Sequence, residues 1–80
     1  MNSRRSPINI SEEDVESMAE LLFQSFQMGD YKPKPHLSIR MQLTLLPREH
    51  FGYSLNDSLV CLERMEEKHR EELAVAGYNH

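Results

Sequence analysis

The segment from His36 to Leu46 alternates apolar and polar residues, and this pattern constrains the fold more than any other. Its sequence is HLSIRMQLTLL. Successive side chains of an extended chain point to opposite faces, so the alternation predicts a strand with one buried face. The apolar residues of that face, predicted for the core or a dimer interface, are Leu37, Ile39, Met41, Leu43 and Leu45.

The rest of the 80-residue chain contains no second stretch of comparable alternation. A lone strand leaves backbone donors and acceptors unpaired along both edges, so it requires a partner strand. Pairing with its own copy in a second chain meets this requirement across a two-fold axis, the commonest oligomeric symmetry. Two alternatives stay open: the strand adds to a sheet of another protein, or the segment is a third helix in a small all-α bundle.

A helix is predicted on each side of this segment. The first begins after Ser11, a good N-cap, and ends at Gly29, a natural C-cap. The second is capped by Ser54, is closed by Gly77 and carries a narrower apolar stripe. From this stripe, the residues predicted for the core or a dimer interface are Leu59, Leu62 and Met65.

The predicted fold is therefore α+β, with the element order helix, strand, helix. It forms a single small domain over residues 10–77, with a polar tail at residues 1–9 and a short tail at residues 78–80. A chain of this length builds only a small core, so part of its apolar surface is expected to face another chain. A homodimer is the predicted assembly.

Composition disfavours several classes of function. Nine Lys and Arg against thirteen Asp and Glu give a net charge of −4, which argues against a broad basic surface for nucleic acid. No apolar run approaches the roughly 20 residues of a membrane span, and the first residues lack the apolar region of a secretory signal. Cys61, the single cysteine, fits a reducing compartment. The sequence predicts a soluble, cytoplasmic protein.

A local reversal of charge marks the connector and the predicted strand. The helices are rich in glutamate, whereas the connector carries lysines held extended by two prolines. Such a positive run suits an acidic partner or phosphates. The residues predicted to contact a partner protein are Lys32, Lys34, Arg40 and Gln42.

A self-paired strand followed by a helix resembles the ribbon-helix-helix repressors over residues 36–76. In those repressors, a strand from each chain forms a ribbon that enters the major groove of DNA. The outward residues Ser38, Arg40, Gln42 and Thr44 have side chains suited to base edges. This chain departs from the pattern because one long helix, not two, follows the strand. A DNA-binding regulator is therefore the alternative function.

No catalytic residue, metal or cofactor is predicted. Glu66 and His69 have the Glu-x-x-His spacing of carboxylate-bridged metal sites, but those sites need two such motifs and further glutamates. Cys61 lies between apolar neighbours, where a thiol is inert. The predicted function is a non-enzymatic regulatory or inhibitory protein that acts by protein–protein interaction, of the kind encoded by phages, mobile elements or bacterial accessory genes.

Overall fold

The computed structural model describes residues 10–29 and 36–78, which form a small bundle of helices. The helices are α1 (Glu12–Met28), α2 (Ile39–Phe51), α3 (Leu55–Lys68) and α4 (Arg70–Val75). These described ranges contain no strand, so the predicted α+β fold with a self-paired strand is wrong. The structure supports the alternative of a small all-α bundle.

The segment predicted as a strand instead begins α2. Ser38 caps this helix, because its Oγ accepts a 3.1 Å hydrogen bond from the backbone N–H of Met41. At the other end, Gly52 has a φ of 71°, a left-handed conformation that favours glycine. The N–H of Gly52 donates to the carbonyl of Arg48 and that of Tyr53 to the carbonyl of Pro47, both at 3.2 Å, so these carbonyls at the helix end are satisfied. Pro47, which follows the segment predicted as a strand, lies inside this helix.

Two polar residues of α2 are buried because each makes its own hydrogen bonds. Thr44 is 2% exposed, and its hydroxyl donates to the carbonyl of Arg40 at 2.8 Å. Gln42 is also buried, and its Nε2 donates to the carbonyls of Leu37 and Ser38. A buried polar group costs little once it is hydrogen-bonded. The polar face predicted for a strand is thus partly buried in the bundle.

The predicted starts of the two flanking helices are correct. The Oγ atoms of Ser11 and Ser54 each accept a 3.1 Å hydrogen bond from a backbone N–H, those of Asp14 and Asp57 respectively. The predicted second helix is interrupted, however. At His69 the backbone has φ −117° and ψ 35°, and this residue separates α3 from α4.

The core lies where α1 and α2 pack against α3. Its buried apolar residues are Val15, Met18, Ala19, Leu22, Leu43, Cys61, Leu62, Met65, Leu73 and Tyr78. Of the residues predicted for the core or a dimer interface, Leu43, Leu62 and Met65 are buried, and Leu37, Ile39, Leu45 and Leu59 are half-buried. Met41 is the exception, since it is 47% exposed. None of the described helices combines the length and apolar character that crossing a membrane requires.

Candidate functional site

An open groove of about 290 Å³ lies between α1 and α2. The residues that line it are Met18, Leu21, Leu22, Ser25, Leu46, His50 and Phe51. Met18 and Leu22 are buried, whereas Leu21 is 40% exposed and Phe51 is 56% exposed. The groove thus has buried apolar side chains among its lining and two large apolar side chains that remain in contact with water.

The described residues that line this groove include no Asp, Glu, Lys or Arg. Charged residues make up 28% of the chain, so the described lining of the groove is poorer in charge than the chain as a whole. From Leu21 to Gly29, α1 and its C-cap read LLFQSFQMG, without one charged side chain. Depletion of charge at an apolar surface is typical of the centre of a protein–protein interface.

Among the described residues that line the groove, Ser25 and His50 are polar, and they are the residue types of a nucleophile and its base. No hydrogen bond joins these two described side chains. An activated serine requires such a contact, with a third group that orients the imidazole. The groove therefore offers an apolar surface with two polar groups among its lining, rather than a catalytic pair.

Arg40, predicted to contact a partner, forms a two-point ion pair with Glu66 of α3. Arg40 Nε lies 2.6 Å from Glu66 Oε2, and Nη2 lies 3.2 Å from Oε1. This hydrogen bond raises the pKa of Arg40 above its ordinary value. The Tyr78 hydroxyl donates to the same Glu66 Oε2 at 2.6 Å. Burial, and then this hydrogen bond, raise the pKa of Tyr78.

Of the predicted partner-contacting residues, the structure describes Arg40 and Gln42, and these two do not share an exposed surface. Arg40 is exposed at the first turn of α2, while Gln42 is buried and bonded within its own helix. Lys32 and Lys34 lie outside the described residues. Arg40 instead lines a second, polar groove of about 660 Å³, together with Glu66, Arg70, Tyr78 and other residues of α3 and α4.

Ion pairs join the side of α1 to that of α3. Arg64 contacts the carboxylates of Glu12 and Glu16. Lys68 Nζ lies 2.8 Å from Glu16 Oε1 and 2.9 Å from Glu20 Oε2. Lys68 first, and then Arg64, lower the pKa of Glu16. The pKa of Glu20 is also lowered, chiefly by Lys68. These pairs hold two helices side by side on a wet surface, so their role is structural.

Glu66 and His69, which have the spacing of a metal-binding motif, face different partners. His69 Nε2 lies 3.0 Å from Glu20 Oε2, and its ring stacks on Phe23 with 3.7 Å between centroids. Glu66 is held by Arg40 and Tyr78. Among the described residues, no group of three His, Cys, Asp or Glu side chains could hold a metal ion.

Cys61 is completely buried in the core, as its apolar neighbours in the sequence predict. Burial raises the pKa of its thiol to about 11, so the thiolate is scarce at neutral pH. A nucleophile needs both access and thiolate character, and this thiol has neither.

The groove between α1 and α2 was not identified from the sequence pattern. Three of its described lining residues, Leu46, His50 and Phe51, belong to α2, and a predicted strand over residues 36–46 does not place them on a helix face. One signal was nevertheless present, because Leu21 and Met28 lie off the main apolar stripe of α1 and remain exposed. Comparison with models of known protein families, with curated proteins and with solved structures finds no match to this chain.

Proposed function

We propose that this protein is not an enzyme and acts by binding another polypeptide in the groove between α1 and α2. The observation that carries the proposal is the exposure of Leu21 and Phe51 beside the buried floor of an uncharged groove. Burying each of these half-exposed side chains against a partner is worth on the order of 1 kcal/mol. Exposed apolar surface that is continuous with a groove is a common feature of protein-binding sites.

The shape of the groove fits an amphipathic helix. On α1, Met18, Leu21 and Ser25 stand at positions i, i+3 and i+7 along one side, and α2 provides the opposite wall. A helix that packs into such a space uses the ridges and grooves of its own side chains. Addition of an extended peptide requires an exposed strand edge instead, and the described ranges contain no strand.

A regulatory or inhibitory role in the cytoplasm belongs to this proposal. It is supported by Cys61, which is free and buried, as in proteins of a reducing compartment. Origin in a phage, mobile element or bacterial accessory gene remains part of the same hypothesis. The alternative of a DNA-binding ribbon is not retained, because it requires a strand where α2 lies.

Site-specific photo-crosslinking tests the groove as a binding site. A photoreactive phenylalanine analogue replaces Leu21 in one protein and Met41 in a control protein. Met41 is an exposed apolar residue of α2, 47% exposed against 40% for Leu21, and does not line the groove. We expect crosslinking to a polypeptide from position 21 and not from position 41, with the linked peptide mapping to an apolar helix.

The crosslinked polypeptide is then purified, and its affinity for variants of this protein is measured. Leu21→Glu should weaken the interaction at least about tenfold, equivalent to about 1.4 kcal/mol, while Met41→Glu should leave it unchanged. Equal crosslinking from both positions, or equal affinity of both variants, would contradict the proposal. Specific labelling of the groove by a small molecule alone would contradict it too.

A further inference from the structure

We propose that the helix which fills the groove is α1 of a second copy of this chain, so that the protein is an isologous dimer. This inference rests on the proposed function, because it names the occupant of the same groove. The two copies would place their Leu21 side chains in contact across a two-fold axis. Phe51 of each copy would then cover α1 of the other.

Charge favours a second copy as the occupant. Each chain carries a net charge of −4, so two copies that approach through their glutamate-rich faces repel each other. The groove and the C-terminal half of α1 are free of Asp, Glu, Lys and Arg in the described chain. This is a surface on which identical chains meet without like charges in contact.

Specificity gives a second reason. Interfaces between different proteins commonly use complementary charges to select one partner and to fix its orientation. The described lining of this groove offers no charge for that purpose. In a two-fold dimer the same patch of each copy meets the other, so two uncharged patches match each other in charge, and two-fold dimers are the commonest oligomers.

The residues around Leu21 suit close approach of two helices. Leu21 lies midway along the wall of the groove, three residues after Met18 and four residues before Ser25. Ser17 precedes it by four residues and is exposed. Two small serines therefore flank one leucine on the same side of α1. Such an arrangement lets one side chain fit between the ridges of a neighbouring helix.

Sedimentation of the purified protein over a range of micromolar concentrations tests the inference. We expect the wild-type protein to sediment with about twice the 9.4 kDa mass of the chain. Leu21→Glu and Leu21→Lys should each sediment as monomers, with the dissociation constant raised at least about tenfold. Met41→Glu should remain a dimer. Circular dichroism verifies that each variant keeps its helices.

Mixing the two Leu21 variants provides the decisive measurement. If Leu21 of one copy contacts Leu21 of the other, a glutamate then meets a lysine, and the equimolar mixture should recover the dimer. A misfolded variant would not recover on mixing. If either Leu21 variant loses its helices, Phe51→Lys and Phe51→Glu replace the pair, since Phe51 is also exposed. For these variants, loss of the dimer in each alone is the expected result.

The outcomes separate this inference from the proposed function. A wild-type monomer whose position 21 crosslinks to a different protein overturns the inference and leaves the function in place. A wild-type monomer without such crosslinking overturns both. A dimer that survives Leu21→Glu, or that is lost in Met41→Glu, places the contact elsewhere and overturns the inference.

Discussion

The hydroxyl of Tyr78 donates a 2.6 Å hydrogen bond to Oε2 of Glu66, which lies twelve residues earlier in the chain. The ring of Tyr78 also meets Phe26 of α1 edge to face, with 5.4 Å between centroids. Gly77, with a φ of 79°, turns the chain so that Tyr78 can reach this position. One aromatic residue thus connects the end of the described chain to α1 and to α3.

Replacing Tyr78 with phenylalanine should lower the free energy of unfolding by about 1.5 kcal/mol, because a buried hydrogen bond to a charged acceptor is lost. Urea denaturation followed by circular dichroism measures this change. Tyr53→Phe is the matched control, since among the described residues the Tyr53 hydroxyl makes no hydrogen bond. Equal effects of the two variants would contradict the assigned role of the Tyr78 hydroxyl.

The same variant should change the response to alkali. The pKa of Tyr78 is raised in the folded state, whereas an unfolded tyrosine titrates near 10.0. The unfolded chain therefore loses this proton first, so the stabilisation is complete below pH 10 and is lost progressively above it. Wild-type protein should lose more stability above pH 10 than Tyr78→Phe does. If wild-type protein and Tyr78→Phe lost stability identically above pH 10, the result would contradict the raised pKa of Tyr78.

The ion pairs between α1 and α3 should make the protein sensitive to acid. The pKa values of Glu16 and Glu20 are lowered from 4.5, so the unfolded chain takes up protons first as the pH falls. Their stabilisation is present above pH 4.5 and disappears below it. The double variant Glu16→Gln, Glu20→Gln should therefore lose less stability than wild type over this acid range, measured by thermal unfolding.

Salt provides an independent check on these pairs. Exposed ion pairs are screened by added salt, so wild-type stability should fall with sodium chloride more than that of the double variant. Glu71→Gln, which removes an exposed glutamate of α4, is the control and should behave as wild type in salt. If Glu71→Gln changed the salt dependence of stability as much as the double variant does, the effect would come from net charge rather than from the ion pairs.

Alanine at a serine inside α3 and alanine at the serine that caps it should change the free energy of unfolding with opposite signs. Ser58 is fully buried, and its Oγ has no hydrogen-bond partner among the described residues. Ser58→Ala should raise the free energy of unfolding by about 1 kcal/mol, because an unsatisfied hydroxyl is removed from the core. Ser54→Ala should lower it by about 1 kcal/mol, because the N-cap of α3 is lost. Urea denaturation distinguishes the two, and changes of the same sign would contradict both assignments.

Aspartate at two positions of α2 tests the helix against the strand. The helix buries Thr44 and exposes Met41, whereas a strand with the predicted alternation would do the reverse. Thr44→Asp should therefore cost several kcal/mol and unfold much of the protein, because it buries an unpaired charge. Met41→Asp should be tolerated, as judged by circular dichroism and thermal unfolding. If Met41→Asp destabilised the protein more than Thr44→Asp, the result would favour a strand over a helix in this segment.

The prediction of α1 and of the start of α3 succeeded because separate signals in the sequence agree. Ser11 and Ser54 are caps whose hydrogen bonds the structure confirms, and the apolar spacing that follows each of them is helical. The burial of Cys61 followed from its apolar neighbours in the same helix. Where capping residues and apolar periodicity indicate the same element, the local sequence preference agrees with the tertiary fold, and the element can be predicted.

The prediction of a strand where α2 lies was wrong, because the alternation of five apolar residues in this segment does not exclude a helix. Ser38 and Gly52 frame the helix, and Arg48 and His50 lie in its last turn, where positive charge is favourable. Gln42 and Thr44 were predicted on a solvent-exposed strand face. Both are buried instead, because their side chains donate hydrogen bonds to backbone carbonyls four or five residues earlier in the chain. The break between α3 and α4 at His69 could not be predicted from local sequence either, because His69 contacts Glu20 and Phe23 of α1, which are distant in the chain. The candidate groove includes Leu46, His50 and Phe51 of α2, so a strand over residues 36–46 does not predict it.

The order of the helices along the chain has a consequence for the speed of folding. Arg64 and Glu12 are in contact although 52 positions separate them, whereas α2 and α3 are joined by a connection of residues 52–54. A short loop closes at lower entropic cost than a long one, so we expect the α2–α3 hairpin to form first and α1 to dock late. Contacts made after the transition state influence mainly the unfolding rate. Stopped-flow measurements on Glu16→Gln should then show faster unfolding with unchanged refolding, which would mean that the docking of α1 determines the lifetime of the folded state.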